Sequence, residues 1–356
     1  MSNTFGNVFK ITTWGESHGN SLGVVVDGCP PGIEISEELI QKELDRRRPG
    51  QSDVATPRKE SDKVHVRSGL LNNVTTGMPI ALEIFNYDAD SSKYEDIKHK
   101  WRPGHADFTF DQKYGLRDYR GSGRSSGRET AARVAGGAVA KQILARHNID
   151  IYAFTRAIGE IEAQVVDRDE IEKNMVRSPD KNAAVKMIDL VKKMKEDKNS
   201  VGGIVELRIT GMPVGLGEPV FNKFDAAMSF AIMSLGAVKG VEIGDGFAVS
   251  KATGFENNDV YMMNGNKFRT ETNHCGGVLG GLTTGEEFVL RAAVKPPASI
   301  GIEQDTITKT GEKAKIIVEG RHDPTILPRI IPVVEAMAAI VVLDFMLLQK
   351  RIEGFK

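Results

Sequence analysis

The chain has 356 residues, of which 40% are hydrophobic and 27% charged, and its formal net charge is −1. This composition supports one large domain or two ordinary ones, and it argues against disorder and against a globally basic nucleic-acid binder. The two cysteines, Cys29 and Cys275, are too few for a disulfide framework and lie outside any Cys-x-x-Cys pattern, so a zinc site is not expected.

The first half begins with a strand, a turn rich in glycine and proline, and a capped helix. Residues 22–27 predict a buried strand, residues 28–32 a turn, and Ser36 the start of a helix that runs to about Arg48. Residues 64–70 and 80–85 predict two further strands on either side of a Thr-Thr-Gly turn at residue 75. This order of elements is typical of an α+β fold.

A glycine- and serine-rich segment between Leu116 and Arg133 carries five arginines: Arg117, Arg120, Arg124, Arg128 and Arg133. Glycine lets the backbone approach a ligand, serine offers hydroxyl donors, and guanidinium groups match phosphate and carboxylate. Ser126 and Glu129 fit a capping box that opens a helix running to His147, and a helix start attracts anions. The segment predicts an anion site; the alternative, a solvated basic loop, does not need so much glycine.

The second half repeats parts of the first. Residues 204–209 predict a strand and residues 224–235 a helix, and the turn at residue 211 repeats the one at residue 28 with an offset of 183. Thr-Thr-Gly recurs at residue 283 with an offset of 208, before a strand at 288–294, so the second copy would carry 25 additional residues. We therefore expect a single domain over residues 1–356, built from related halves at about 1–150 and 200–356 with an internal pseudo-two-fold.

Two helices complete the predicted elements. Residues 180–198 predict a lysine-rich surface helix, and the apolar residues 333–348 predict a buried helix starting near Pro328 or Pro332. Because Glu335 and Asp344 interrupt this second stretch, we do not expect it to span a membrane. With no signal peptide recognisable at the N-terminus, the expected location is the cytoplasm.

Two histidines lie in glycine-rich loops that could present an imidazole to a pocket. His18 is two residues from Glu16, and His105 is two residues from Asp107. A nearby carboxylate can raise a histidine pKa, so both are candidate proton donors, with a structural role as the alternative.

Further cations suggest a second part of the site. At least one of Arg46, Arg47 and Arg48 at the end of the first helix could reach an anion, and Arg321 with Asp323 precedes the last helix. Lys295 opens a stiff Pro-Pro turn and is either a phosphate contact or solvated.

No Walker-A loop, Rossmann fingerprint or nucleophile elbow is present in the sequence. The residues therefore indicate an enzyme for a polyanionic small molecule, with arginine clamps and histidine general acids.

Three motifs occur together in the order found in one known family. They are Gly15-Glu16-Ser17-His18-Gly19, Arg124-Ser125-Ser126-Gly127-Arg128-Glu129-Thr130, and Arg321-His322-Asp323-Pro324 followed by Glu335-Ala336-Met337. With Arg102-Pro103-Gly104-His105, they make the chain resemble the chorismate synthase family from Phe5-Gly6 to the C-terminal helix.

The resemblance implies a lyase of aromatic amino-acid biosynthesis, at the last step of the shikimate pathway. Members convert 5-enolpyruvylshikimate 3-phosphate to chorismate and phosphate by anti 1,4-elimination and require reduced FMN, although the net reaction is redox-neutral. The family fold is a βαβ sandwich, with helices enclosed between antiparallel sheets, and the assembly is a homotetramer. Because no reductase domain is recognisable in this chain, an external flavin reductase is expected, with NADPH acting only indirectly.

The resemblance also implies roles for individual residues. His18 resembles the acid that assists the departing phosphate, His105 the histidine that protonates or tunes the reduced flavin, and Asp323 the carboxylate that helps flavin N5 to accept a proton from substrate C6. Substrate contacts fall on Arg47, Arg102, Arg128 and Arg321. FMN contacts fall on Arg124, Ser125, Ser126, Gly236, Ala237, Gly280, Lys295, Pro296, Pro297, Ala298, Ser299 and Arg321. No metal is implied.

Two positions depart from the family pattern. Asp53 stands where many relatives have an arginine, so a contact to nucleotide or substrate is in doubt there, and Arg58 is a candidate replacement. Gly236 stands where many relatives have asparagine or glutamine, which leaves only backbone contacts to FMN.

Two other functions would use some of the same residues as the lyase. A non-catalytic flavin or phosphometabolite binder would need the arginines but not the acids His18, His105 and Asp323. An RNA-binding protein would be expected to interleave aromatic residues with the arginines, and the segment contains only Tyr119.

Overall fold

The computed structural model describes residues 3–50, 60–88, 92–318 and 323–354, without the side chains of Ser92, Lys93 and Asp96. The first half contains, in chain order, β1 (Thr4–Phe5), β2 (Lys10–Gly15), β3 (Ser21–Asp27), α1 (Glu37–Arg47), β4 (Val64–Val66), β5 (Leu70–Leu71), β6 (Val74–Thr75), β7 (Ile80–Phe85), α2 (Asp107–Tyr114) and α3 (Thr130–Ala145). The second half contains β8 (Asp150–Ile158), β9 (Ile161–Glu162), α4 (Lys181–Glu196), β10 (Gly203–Thr210), α5 (Phe224–Met233), β11 (Val238–Ile243), α6 (Gly254–Asn257), β12 (Tyr261–Asn264), β13 (Lys267–Thr270), β14 (Val278–Leu279), β15 (Leu282–Thr283), β16 (Phe288–Val294), β17 (Gln304–Ile307), β18 (Lys313–Ile316) and α7 (Leu327–Glu353).

Two five-stranded antiparallel sheets form the outer layers. Their strand orders are β1-β2-β3-β7-β4 and β9-β8-β10-β16-β11. Each sheet alternates buried and more exposed residues, as in β7 and β16, so each turns one apolar face inward. The predicted α+β fold is confirmed.

Helices fill the space between the sheets. α3 packs on β2, β3 and β7, α7 packs on β8 and β10, and the two helices pack on each other. At their contact, a Cβ on Gly137 would lie 2.4 Å from the Cβ of Ala336, so only glycine permits this close approach. The helices are thus enclosed between antiparallel sheets, as the family resemblance implied.

The long C-terminal helix α7 is apolar, yet two of its buried residues are acidic. Glu335 accepts hydrogen bonds from Arg46 and Lys141, and Asp344 accepts the backbone N–H groups of Val8 and Phe9. By length and composition α7 could cross a membrane, but 94% of its apolar window is buried inside the fold. The prediction of a buried core helix is confirmed.

Four strands of each sheet have the same order, β2-β3-β7-β4 and β8-β10-β16-β11, and the turns after β3 and β10 make the same contact. Thr75 Oγ1 donates to the carbonyl of Pro30, and Thr283 Oγ1 donates to that of Pro213, at 2.7 Å in both cases. The β12–β13 hairpin lies in the longer interval of the second half, and the second sheet begins at β8.

One predicted strand is shorter in the structure. The strand expected over residues 64–70 ends at Val66. Beyond it, Ser68 Oγ donates to the Pro79 carbonyl and accepts the Ala81 N–H, so a side chain replaces the regular backbone pairing with β7.

Candidate active site

The first part of the site is a pair of buried arginines around one carboxylate. Arg47, at the end of α1, donates from Nη2 to Asp62 Oδ2 at 2.5 Å, and Arg128 donates from Nη1 to Asp62 Oδ1. Burial would raise the pKa of Asp62, but the two arginines outweigh it and hold that pKa at about 2. Burial lowers the pKa of Arg47 to about 10, Asp62 opposes this effect, and Arg329 and Arg128 add to it. Glu60, also buried, lies 4.0 Å from Arg128 Nη2, so a second carboxylate faces the arginine pair.

Asn86 connects this pair to the loop that carries His18. Its Oδ1 accepts Arg128 Nε at 2.8 Å, and its Nδ2 donates to the carbonyls of Glu16 and Gly19, at 3.1 and 2.8 Å. A single amide thus sets the position of Arg128 relative to the His18 loop.

His18 is held on its other side by the glycine-rich segment. A Cβ on Gly121, whose φ is +57°, would lie within 2.5 Å of the imidazole, so the glycine backbone itself packs on the ring. Tyr94 meets the ring edge-on, with 5.5 Å between the ring centroids. The neighbouring Ser17 is 2% exposed, and its N–H donates to the Gly123 carbonyl at 3.4 Å.

The second part of the site surrounds His105. Its Nδ1 lies 3.0 Å from Asp107 Oδ1, and its Nε2 lies 3.4 Å from Ser122 Oγ. Arg102 is buried and donates to both Asp107 oxygens, at 2.8 and 2.7 Å, and to Ser122 Oγ at 2.7 Å. Burial, with the charges of Arg102 and Lys295, lowers the pKa of His105 and together they outweigh the opposing effect of Asp107. The expectation of a raised pKa is therefore wrong for His105, because desolvation dominates.

Residues 120–128 join the two parts. Ser122 contacts His105, Gly121 packs on His18, and Arg128 binds Asp62. Ser122 has a φ of +74°, and this left-handed turn lets consecutive residues face different clusters. The anion segment predicted from the sequence is therefore the wall that both histidines share.

The N-terminus of α3 differs from the prediction. Ser126 caps a 3₁₀ turn at Gly127–Glu129 and accepts the Arg128 N–H, and α3 begins only at Thr130. Glu129 is not available for a capping box, because its carboxylate binds Thr13 and Arg133.

Arg124 and Ser125 are committed to contacts within the chain. Arg124 donates to Thr13 Oγ1 at 2.8 Å, to the carbonyls of Thr13 and Gly15, and to Asn3 Oδ1. Ser125 Oγ donates to the Ser122 carbonyl at 2.8 Å. The Arg124 contacts to Thr13 and Gly15 fasten the segment to β2, and the Ser125 contact closes the turn of the segment itself.

The segments after α5 and β16 meet beside His105. Lys295 N–H donates to the Ala237 carbonyl at 2.9 Å, and Ser299 Oγ lies 3.4 Å from Arg102 Nη1. Ala298, between Pro297 and Ser299, lies against Gly104. The structure therefore brings residues 236–237 and 295–299, both candidate FMN contacts, into one wall with His105.

Another candidate FMN contact, Gly280, is not part of this wall. Gly280 lies at the tip of the β14–β15 hairpin, and the adjacent Gly281 accepts Phe224 N–H at the start of α5. Gly236 follows the end of the same ten-residue helix, so the two sites are separated by roughly 15 Å of helix. Arg321 lies outside the described residues, as do Asp53 and Arg58.

Asp323 joins the site through α7. Arg329, in the first turn of this helix, binds Asp323 with Nη1 and donates from Nε to the Arg47 carbonyl at 3.3 Å. Asp323 is thereby placed on the Arg47 side of the site.

The run of three arginines divides among three environments. Arg46 binds Glu335 of α7, Arg47 enters the site, and Arg48 is 45% exposed. The helical period alone predicts that consecutive residues point in different directions.

Sequence reasoning missed Asp62, Asn86 and Arg329. Asp62 and Asn86 act on arginines 15 to 66 positions away, and Arg329 reaches the Arg47 carbonyl 282 positions away, so no local pattern marks these contacts. A buried carboxylate opposite Arg47 could have been anticipated from charge balance alone, but not its position in the chain.

Comparisons with known proteins agree with this arrangement. A family model described as "Chorismate synthase" matches residues 9–347. A chorismate synthase from Roseiflexus castenholzii is 52% identical over 349 residues, covering 98% of each chain, and one from Methanococcoides burtonii is 53% identical over 350 residues, covering 97% of this chain and 96% of its own. A solved structure titled "Crystal Structure of Chorismate Synthase" superposes with a TM-score of 0.78 at 30% identity and covers 99% of this chain and 98% of its own. The chain belongs to the chorismate synthase family.

Proposed function

We propose that the protein catalyses anti 1,4-elimination of phosphate from 5-enolpyruvylshikimate 3-phosphate. The substrate loses a proton from C6 and phosphate from C3, which gives chorismate with no net oxidation. The observation that carries this proposal is the segment 120–128, which brings a buried arginine pair and two histidines to one wall.

The arginines bind the anionic groups of the substrate. Arg47, Arg128 and Arg329 lie together with the carboxylates Asp62 and Asp323, and Arg102 lies beside the second histidine. A substrate with a phosphate and two carboxylates supplies the negative charge that buried guanidinium groups favour. Arg321, which lies outside the described residues, is proposed as a further contact on the resemblance alone.

His18 is proposed as the acid for the leaving phosphate. Its ring is fixed between Gly121 and Tyr94, and the Asn86 amide fixes its loop relative to Arg128. Proton donation to the phosphate oxygen lowers the cost of breaking the C3–O bond. Asp323, held by Arg329, is proposed to assist removal of the C6 proton.

The wall beside His105 offers a cation and an accessible backbone, which suit the phosphate of FMN. Burial and the charge of Lys239 lower the pKa of Lys295, and the hydrogen bonds of its Nζ go to backbone carbonyls at Gly104 and Pro296. Two neighbouring cations, Lys239 and Lys295, suit the negative charge of a phosphate group. A Cβ on Gly236 would meet open space, so the backbone there is accessible to a ligand.

The residues proposed to hold FMN are therefore Gly236, Ala237 and the turn from Lys295 to Ser299. Arg124, Ser125, Ser126 and Gly280 are proposed only by resemblance. When bound, reduced FMN supplies the electron density that assists cleavage of the C3–O bond. His105 would hold a proton next to the reduced ring.

We further propose a cytoplasmic homotetramer that receives reduced flavin from an external reductase, so that NADPH acts only indirectly. Purified protein should then leave NADPH unoxidised in the presence of FMN, and light scattering should give four times the chain mass of 38.9 kDa. Rapid NADPH oxidation would reject the external reductase, and a monomeric mass would reject the homotetramer.

One assay tests the activity. Purified protein is mixed anaerobically with photoreduced FMN and 5-enolpyruvylshikimate 3-phosphate, and chorismate and phosphate are measured together. We expect equal amounts of the two products and none with oxidised FMN. Tight FMN binding without turnover would instead identify a non-catalytic flavin binder.

A further inference from the structure

Asp107 is the buried carboxylate to which several groups of the second cluster attach. Its Oδ1 lies 2.7 Å from Arg102 Nη2, 2.6 Å from Arg117 Nη1 and 3.0 Å from His105 Nδ1. Its Oδ2 accepts Arg102 Nε at 2.8 Å and the Arg102 N–H at 3.1 Å. The residue is 4% exposed and starts α2, where a negative charge is favoured.

The proton positions in this cluster follow from counting donors. Arg102 Nη2 carries two hydrogens and lies near three acceptors: Asp107 Oδ1 and Ser122 Oγ at 2.7 Å, and His105 Nδ1 at 3.2 Å. The two shorter bonds use both hydrogens. Because Arg102 then has none for the imidazole, His105 Nδ1 is left with Asp107 as its partner. A carboxylate only accepts, so Nδ1 carries the hydrogen.

The other ring nitrogen fits the same assignment. Ser122 Oγ already accepts a hydrogen from Arg102, so its own hydrogen can be donated to His105 Nε2, 3.4 Å away. The neutral ring then has its lone pair on Nε2, and both ring nitrogens have a partner of the right kind.

We propose that Asp107 is a positioning residue that keeps the neutral His105 in the Nδ1–H tautomer, so that Nε2 is the atom that gains and loses a proton. The tautomer is a property of this chain alone; the use made of Nε2 rests on the proposed function. In that function Nε2, on the Ser122 side, is the atom that holds the proton beside the reduced flavin.

The charges that face His105 come from three elements. Asp107, in α2, favours the imidazolium. Arg102, in the loop that carries His105, and Lys295, after β16, oppose it. Arg117 adds a further cation on Asp107. Removing the Asp107 charge would leave three cations around the ring, so the imidazolium would be strongly disfavoured.

The direct test is made on the wild-type protein. Full-length protein with 15N-labelled histidine is studied by magic-angle-spinning NMR at a pH where His105 is neutral, and its signal is assigned by its loss in His105→Gln. We expect a protonated Nδ1 and an unprotonated Nε2. A neutral His105 with the proton on Nε2 would overturn the proposal, whatever the activity of the protein.

Asp107→Asn tests the cause, with Asp111→Asn as the matched control. Asp111 lies on the same helix and binds Arg117, Lys309 and Trp101 rather than His105. In Asp107→Asn we expect the His105 pKa to fall by about one unit or more and the Nδ1–H population to drop. Asp111→Asn should change neither, and Asp107→Glu should restore most of the pKa.

These outcomes separate the two proposals. An unchanged His105 pKa and tautomer in Asp107→Asn would reject the role of Asp107. If Asp107→Asn does not fold, the wild-type spectrum and Asp107→Glu still decide. An Nδ1–H tautomer in a protein that forms no chorismate would leave the positioning role intact and reject the activity.

Discussion

The backbone of Gly121 lies so close to His18 that a side chain at position 121 would occupy the place of the imidazole. Its hypothetical Cβ would lie 2.2 Å from His18 Cδ2. A glycine is required here both for this contact and for a φ of +57°.

We therefore expect Gly121→Ala to displace His18 and to lower kcat by about tenfold or more, since small displacements of reacting groups are costly. Gly254→Ala is the control, because a Cβ there meets open space and its φ is not in the left-handed region. Steady-state kinetics under anaerobic conditions make the comparison. Full activity of Gly121→Ala would contradict the packing.

His18→Ala should reduce turnover by about a hundredfold or more, as expected for loss of a general acid, with a much smaller change in substrate affinity. The control is His147→Ala, an exposed histidine beyond the far end of α3. Single-turnover formation of chorismate measures the effect. An active His18→Ala enzyme would remove His18 from the mechanism.

Arg47→Lys keeps the charge but loses the guanidinium fork that binds Asp62 and reaches the Gly127 carbonyl. We expect substrate binding to weaken by about 10- to 100-fold, the equivalent of one charge-assisted hydrogen bond. Calorimetric titration without flavin isolates binding from turnover. Arg48→Lys, at an exposed position, should bind normally, and equal losses in both variants would argue against a specific role for Arg47.

Glu335→Gln should destabilise the fold by about 3–5 kcal/mol, because it leaves Arg46 and Lys141 beside a buried neutral amide. Glu172→Gln removes another partner of Arg46, but this glutamate is 52% exposed, so we expect less than about 1 kcal/mol. Urea unfolding of both variants gives the difference. Similar losses would show that burial does not set the strength of these pairs.

The carboxylates Asp62, Asp107 and Glu335 have folded-state pKa values below their ordinary values. Each therefore contributes stability above its unfolded pKa and loses it as the pH falls towards the folded pKa. For Asp62 the fall from 3.8 to about 2 corresponds to roughly 2 kcal/mol.

We expect the free energy of unfolding to decrease slightly as the pH falls below about 6.5, because the pKa of His105 is lowered in the folded state, and to decrease further as the pH falls from about 4 to 2. Asp62→Asn should show a shallower decrease over this interval. Chemical unfolding at a series of pH values provides the measurement, and parallel pH curves for wild type and variant would contradict the assignment.

The sequence was informative where a role depends on neighbouring residues. The strand–turn–helix order, the buried C-terminal helix and the loops of His18 and His105 each have a local pattern, and the structure places them as expected. The glycine-rich segment between Leu116 and Arg133 likewise predicts Arg128 as a candidate anion contact.

Contacts between distant residues were not predictable. Asp62 pairs with an arginine 66 positions away, and Arg46 reaches a glutamate 289 positions away. Arg124 lies in a segment whose composition predicts ligand contacts, yet its side chain binds Thr13 of β2. Side-chain direction in an irregular segment depends on backbone angles such as those of Ser122, which the sequence pattern does not encode.

The matching strand orders assign corresponding places to α1 and α5, which follow β3 and β10. The end of α1 presents Arg47, whereas the end of α5 leads into Gly236 and Ala237. In the proposed function these corresponding helix ends would serve different ligands, Arg47 the substrate through its side chain and residues 236–237 the flavin through their backbone. We therefore expect neither half, expressed as a separate polypeptide, to catalyse the proposed reaction unless the two fragments associate.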